Sequence, residues 1–327
     1  MVVVFGEALV DLLVDLAPGN GGEPLAQPVP GGCGLNLAIG LARLQCPAHF
    51  IGGLSGDPFG QFLARRLQEA GVVLPARNAD SRPTRLVSVI RGPGGEPEYG
   101  FHGSDTADLA APDTQAVPAD ARILAFCSYP CLSPEGLEAC RVLARAQPRR
   151  LVSFDPNVRP SLDPDLARWR SGCEAMIGIS DIVKLSLADL HALWGADCDP
   201  ESWAGQLLAS GTGRRPALVV ITQGAQGARL FSAGGTIAVP APRVDVVDTV
   251  GAGDAFHAAF LSALLARLAA SAGDMPDALS SPDALAACHP DRLEAVLARA
   301  VLAGSLTCTR PGADPPDKAE LDAGTPP

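Results

Sequence analysis

The string Asp245-Val-Val-Asp248-Thr249-Val250-Gly251-Ala252-Gly253-Asp254-Ala255-Phe256 runs from a polar turn straight into an apolar helical pattern that continues to Ala270. Glycines at 251 and 253 strip side chains from the turn. Backbone N–H groups can therefore face an anion at the positive end of the helix. Asp254 then falls in the first turn, beside that anion hole. A carboxylate there repels bound phosphate unless its task is to take a proton from an attacking hydroxyl. A bare Gly-x-Gly would be only a turn, and Asp254 only an acid favoured by the helix dipole. The unbroken run Asp-Thr-Val-Gly-Ala-Gly-Asp at the start of a long helix points to chemistry instead. The chain has no Gly-x-x-x-x-Gly-Lys-[Ser/Thr] string, so this is not a P-loop.

Outward from this helix, strand and helix patterns alternate. Ile123–Cys127 precedes a helix over Pro134–Ala146, Leu151–Phe154 precedes Asp165–Ile177, and Ile182–Leu185 precedes Ala188–Trp194. A helix at Glu201–Leu208 then leads to Ala217–Ile221. This rhythm predicts a doubly wound, mainly parallel α/β sheet flanked by helices on both faces. Arg229–Phe231 and Thr236–Val239 read as an antiparallel hairpin added to it. Nearer the N-terminus, Val2–Phe5 and Phe50-Ile51 read as strands, Leu35–Leu44 and Phe59–Ala70 as helices. Leu86–Ile90 and Glu98–Phe101, flanking Gly92-Pro-Gly-Gly95, signal a hairpin. A last long helix is expected over Asp291–Thr309. One domain over residues 1–313 fits, with small β excursions near 12–31 and 85–104; the Pro-, Gly- and charge-rich residues 314–327 are expected to fray.

Of the 327 residues, 47% are hydrophobic and 19% charged, enough for a sizeable core. Twenty-five basic against 36 acidic residues leave a formal charge of −11, which speaks against nucleic acid or an anionic membrane as partner. The nine cysteines are scattered, odd in number and without a Cys-x-x-Cys pair, so free thiols are expected. The opening Met1–Glu7 carries an acid and no basic segment, unlike a secretory leader, and a cytoplasmic protein is expected. The five histidines are dispersed, with no metal-binding spacing, and His257 is expected to be a packed residue.

Asp248–Asp254 resembles the C-terminal signature of the PfkB-type, ribokinase-like carbohydrate kinases. Pro30-Gly31-Gly32-Cys33-Gly34-Leu35-Asn36-Leu37-Ala38 resembles the family's N-terminal Gly-Gly-x-x-x-Asn-x-Ala segment, and Gly52–Gly60 the Gly-x-Asp-x-x-Gly stretch that follows. The resemblance implies ATP-dependent phosphorylation of a sugar hydroxymethyl group under a β-sheet lid, which would be the two excursions. It implies Asp254 as catalytic base and the backbone of Val250, Gly251, Ala252 and Gly253 as the anion hole. Asp11, Gly32 and Asn36 match sugar contacts; Arg159, in Asp155-Pro-Asn157-Val-Arg159, matches a group that holds the γ-phosphate or a substrate oxygen. Lys184, Ser186, Thr222, Gly224, Gly227 and Cys308 match the nucleotide side. Ser186 and Asp189 stand where the family has Asn-x-x-Glu for water-mediated Mg²⁺ positioning, and read alone they are a helix N-terminus. Asp248 and the Val250 carbonyl match the ligands of a K⁺ ion beside the hole. In many members the lid also forms a homodimer contact.

Tyr99-Gly-Phe101-His102 and Ala107-Asp108 resemble the fructokinase lid, with Phe101 toward the sugar. Ketodeoxygluconate kinases carry an arginine near the position of His102; its absence favours a neutral sugar, fructose first, ahead of ketodeoxygluconate, ribose and nucleosides. A dinucleotide-binding dehydrogenase would need Gly-x-Gly-x-x-Gly after the first strand, where Gly6-Glu-Ala-Leu-Val-Asp11 stands. A non-catalytic relative would lack Asp254 or its glycines, and all are present.

Overall fold

The computed structural model describes residues 1–16, 23–76, 79–91, 97–146, 150–209, 214–272, 285 and 289–324. Val2–Phe5 (β1) is β-branched and aromatic throughout, and all four side chains are buried inside an eight-stranded sheet. Ala48–Phe50 (β4) flanks it on one side. On the other follow Ile123–Cys127 (β7), Leu151–Asp155 (β8), Ile182–Ser186 (β9) and Leu218–Thr222 (β10), all parallel. Ala228–Ser232 (β11) and Gly235–Val239 (β12) complete the sheet as the expected antiparallel hairpin.

Alternation along each strand sends side chains to two cores. Val2, Val4, Ile182 and Val220 meet helices Cys33–Arg43 (α1), Ala252–Ala272 (α7) and Pro290–Cys308 (α8). Val3, Phe5, Phe126 and Phe154 meet Pro134–Ala146 (α3), Leu166–Ile177 (α4), Leu187–Trp194 (α5) and Pro200–Ala209 (α6). Chain order reverses between β1 and β7, and in such a sheet the ligand crevice lies at the carboxyl ends beside that switch.

A second sheet of Leu25–Gly31 (β3), Leu9–Asp15 (β2), Leu86–Arg91 (β5) and Pro97–His102 (β6), in that order, occupies the N-terminal excursions. The turn Gly92–Gly95 and the stretch Pro18–Gly22 lie outside the described residues. At its root, Arg85 donates from Nε to Asp108 Oδ2 (2.8 Å) and from Nη1 to Gly103 O (2.7 Å), and the Tyr129 hydroxyl donates to the same Asp108 oxygen. Beside it Asp57 caps helix Pro58–Glu69 (α2) by accepting from Gly60 N (2.7 Å), and also accepts from Thr84 N and Oγ1.

The expected fraying of the C-terminal stretch is corrected for residues 314–324. Lys318–Ala323 (α9) carries an Asp317/Glu320 capping box and buries Leu321. Its charges are tied to the domain: Arg310 to Glu320 (2.5 Å), Arg299 to Asp322 (2.5 Å) and Arg43 to Asp314. Composition read as a tail because these partners lie far away in sequence. Residues 325–327 lie outside the described residues, as does Cys288; the eight described cysteines are free thiols. Among the described residues no helix is long and apolar enough to cross a membrane.

Candidate active site

Two helices aim their N-termini at one point. Asn36, in the first turn of α1, donates from Nδ2 to Asp254 Oδ2 at 2.9 Å, and Asp254 lies in the first turn of α7. One turn further along both helices, a Cβ on Gly40 would stand only 2.8 Å from the Ala258 Cβ. The helices thus run side by side in parallel, in contact through a glycine, and both positive ends face the same space. Gly40→Val is expected to wedge them apart, part Asn36 from Asp254, and lower kcat by about ten- to a hundredfold. A crystal structure of the variant with the 2.9 Å contact intact, or unchanged kcat, would contradict this.

The turn that opens α7 carries the four residues expected to form the anion hole. Val250 N donates to Asp248 Oδ1 (3.0 Å) and Ala252 N to Thr249 O (3.3 Å). Among the described residues, nothing takes the N–H groups of Gly251 and Gly253. Two of the four expected donors are therefore unspent. Asp248 Oδ2 accepts from Gly312 N (2.9 Å), and Cys308 O accepts from Val247 N and Asp248 N. Cys308 thus anchors this loop through its backbone.

Asp254 is buried, 9% exposed. Burial raises its pKa, the Asn36 hydrogen bond and the Lys184 charge pull it down, and Asp155 pushes it up. Glu7, in the loop after β1, accepts from Cys33 N with Oε1 (3.0 Å) and so satisfies the first amide of α1; Oε2 has no partner among the described residues. Burial lifts the Glu7 carboxyl to about 7, with the Cys33 amide and Arg159 opposing and Asp254 adding to the rise. Its pKa in the unfolded chain is near 4.5, lower than in the fold, so its contribution to stability is full below that pH and is lost as pH rises through about 7. Glu7→Gln keeps the acceptor for Cys33 N. It is expected to gain on the wild type between pH 5 and 8 by at most about 3 kcal/mol. The check is a Tm difference that widens with pH; one that stays flat would contradict it.

Asp11, on β2, presses its carboxylate against Gly31, and burial raises it to about 6 with Arg159 opposing. In the sheet register Asp11 pairs with Val87 and Val87 with Phe101, so Asp11 and Phe101 share a face. Tyr99, two residues before Phe101, shares it too; burial and Asp11 raise its pKa while Arg159 lowers it, and Asp248 acts in the same sense as Asp11. That face of the small sheet therefore looks across at the Asp248 turn. Arg159 keeps contact with solvent but stands among crowded protein groups: their desolvation lowers its pKa, and the charges of Asp254, Glu7 and Asp189 outweigh that.

Ser186 and Thr222 end adjacent strands in register. Ser186 caps α5, and Asp189 accepts from Ser186 N (3.0 Å), Ser186 Oγ (2.7 Å) and Val158 N (3.0 Å). This is the helix N-terminus that the residues alone suggested. Gly224 and Gly227 form the turn between β10 and β11, where Gln223 N donates to Gly227 O (2.7 Å). Lys184, expected on the nucleotide side, is 4% exposed and donates to Asp155 Oδ2 at 2.6 Å. Two residues before Ser186 on β9, Lys184 sends its side chain to the face that meets α7. Glu7 and the Asp155 carboxylate carried no sequence signal of their own, although Asp155 opens the quoted Asp-x-Asn-x-Arg segment. His257 is packed, its Nε2 2.8 Å from Ser153 Oγ.

A doubly wound sheet, a small sheet over its carboxyl edge, and an acid behind paired glycines at a helix start define a small-molecule phosphotransferase of the ribokinase-like fold. Residues 1–320 match the model of the pfkB family carbohydrate kinases, and the chain belongs to that family of ATP-dependent kinases. It is 34% identical over 315 residues to a fructokinase of Klebsiella pneumoniae, covering 95% of this chain and 94% of that one. Its fold is similar to an aminoimidazole riboside kinase from Salmonella enterica, with TM-score 0.76, 27% identity and 98% of each chain covered. It is also similar to an uncharacterized sugar kinase from Pyrococcus horikoshii in complex with ATP, with TM-score 0.74 and 25% identity over 98% of this chain and 96% of that one.

Proposed function

We propose that this kinase transfers the γ-phosphoryl group of ATP to a terminal hydroxyl of a small neutral sugar, fructose first. The observation that carries the reading is the Asn36–Asp254 pair at two converging helix N-termini, with unspent Gly251 and Gly253 amides beside it. Asn36 occupies one carboxylate oxygen of Asp254 and leaves the other for the hydroxyl proton. The raised pKa of Asp254 brings it closer to neutrality, which improves a general base. Asp11 would accept from sugar hydroxyls, with Phe101 on the same sheet face and Gly32 next to the Gly31 it packs against, and the small sheet would act as a lid that excludes water. A neutral sugar suits a pocket that gathers the carboxyl groups of Glu7, Asp11 and Asp254. The similarity to a fructokinase over almost the whole chain supports the same sugar.

Magnesium bound with the nucleotide would neutralise charge between its phosphates. Asp189 already accepts three hydrogen bonds, so it fits a water-mediated role and not direct ligation. Asp248, with one N–H on each oxygen, keeps lone pairs for a hard cation such as K⁺, with the Val250 carbonyl beside it. The test is ADP release with Mg²⁺ over fructose, ribose, ketodeoxygluconate and a purine-precursor riboside, each in K⁺ and in tetramethylammonium. Fructose is expected to give the highest kcat/KM, and Asp11→Ala to raise its KM by about ten- to a hundredfold. A preference for the riboside would overturn the choice of fructose.

A further inference from the structure

Beneath the turn that opens α7 lies a buried ion pair, Lys184–Asp155, that the proposed transfer step does not use. Lys184 and Asp155 stand on adjacent parallel strands, paired at 2.6 Å, with side chains 5% and 1% exposed. A Cβ on Gly253 would come within 3.3 Å of Lys184 Nζ, so the ammonium lies directly under the helix's first turn. Cys33 Sγ and the carboxylates of Asp155 and Asp254 gather within 4.8 Å of one another, and the cation beside them is Lys184. Burying a lysine is costly unless its charge is used.

On the reading of Asp254 as the base, we propose that Lys184, held by Asp155 beneath the first turn of α7, is a positioning residue. It supplies the buried positive charge that keeps Asp254 ionised and fixed in place. Asp155 orients the ammonium and sets how much of its charge Asp254 feels. The groups facing Asp254 are Cys33 and Asn36 from α1, Glu7 from the loop after β1, Cys127 from β7, Asp155 from β8, Arg159 beyond it, Lys184 from β9, and His257 one turn along α7. His257 is driven neutral by burial and by Lys184, so the cations acting on Asp254 are Lys184 within the cluster and the exposed Arg159. The direction of the Lys184 and Asp155 effects on Asp254, downward and upward, agrees with the geometry.

The two partners should therefore shift the titration of Asp254 in opposite senses, which loss of structure alone would not do. The readout is carbon-13 NMR of aspartate-labelled protein, the Asp254 carboxyl signal assigned by its loss in Asp254→Asn, beside the pH profile of kcat/KM. Lys184→Met is expected to move the Asp254 midpoint up by about one pH unit or more, and the acidic limb of the profile with it. Asp155→Asn is expected to move both down, and Lys184→Arg to leave them within about half a unit. Midpoints that stay put, or shift together in both variants, would overturn the proposal. Should Lys184→Met fail to fold, the Asp155→Asn midpoint decides alone: a downward shift supports the proposal and any other result overturns it. Failure of the kinase reading would show separately, as a wild-type protein that titrates as described and phosphorylates no sugar.

Discussion

Asp254→Asn is expected to lower kcat by about 10³–10⁴-fold while ATP binds within a few-fold of its wild-type affinity. The amide has the size of the carboxylate and can still accept from Asn36, so the contact between α1 and α7 survives. What is lost, on the proposed function, is the group that takes the hydroxyl proton. ATP binding should not suffer, because removing a negative charge beside the anion hole relieves repulsion. Coupled ADP release and calorimetric titration of ATP measure the two quantities. A kcat within tenfold of wild type would remove Asp254 from the chemistry, whatever its burial.

Gly251→Val is expected to cost about 10²–10³ in kcat and several degrees of Tm. Gly251 has φ +74°, a left-handed conformation that strains a β-branched residue by about 1–3 kcal/mol. A Cβ there would also lie 2.6 Å from the Ala313 Cβ and 2.8 Å from its Cα, so the turn must move. Movement takes the Gly251 and Gly253 amides off the path of the transferring group, and one lost donor is worth about 10²–10³ in rate. A useful control is Gly205→Ala in α6, where a Cβ meets nothing within 4 Å; it should stabilise slightly and leave kcat alone. If the Gly251 variant loses Tm and retains kcat, the amides are not the anion hole.

The alternation of buried strands and amphipathic helices made the large sheet legible, because each strand was a short apolar run between turn signals. The small sheet was harder to read. Its strands β2 and β3 carry exposed residues and two prolines at 28 and 30, so only an excursion was visible there. The order of residues 314–324 is hidden from the sequence for a related reason: Arg43, Arg299 and Arg310, which hold it, are distant partners that local composition does not reveal. At the site, the Gly251–Asp254 string and Asn36 were legible because helix N-termini demand those residue types. The burial of Lys184 against Asp155 is set by the pairing of their strands, which the motif alone does not reveal. Glu7 passed unnoticed because its burial arises from packing against the start of α1.

The account stands or falls on where the acceptor hydroxyl meets the phosphoryl group. A crystal structure of the protein with fructose, ADP, Mg²⁺ and aluminium fluoride measures this most directly. The sugar's terminal oxygen is predicted about 2.6–3.2 Å from the free Asp254 oxygen, with fluorides facing the Gly251 and Gly253 amides. A mimic seated away from that turn, or a hydroxyl that meets another group while Asp254 remains bonded only to Asn36, would contradict it.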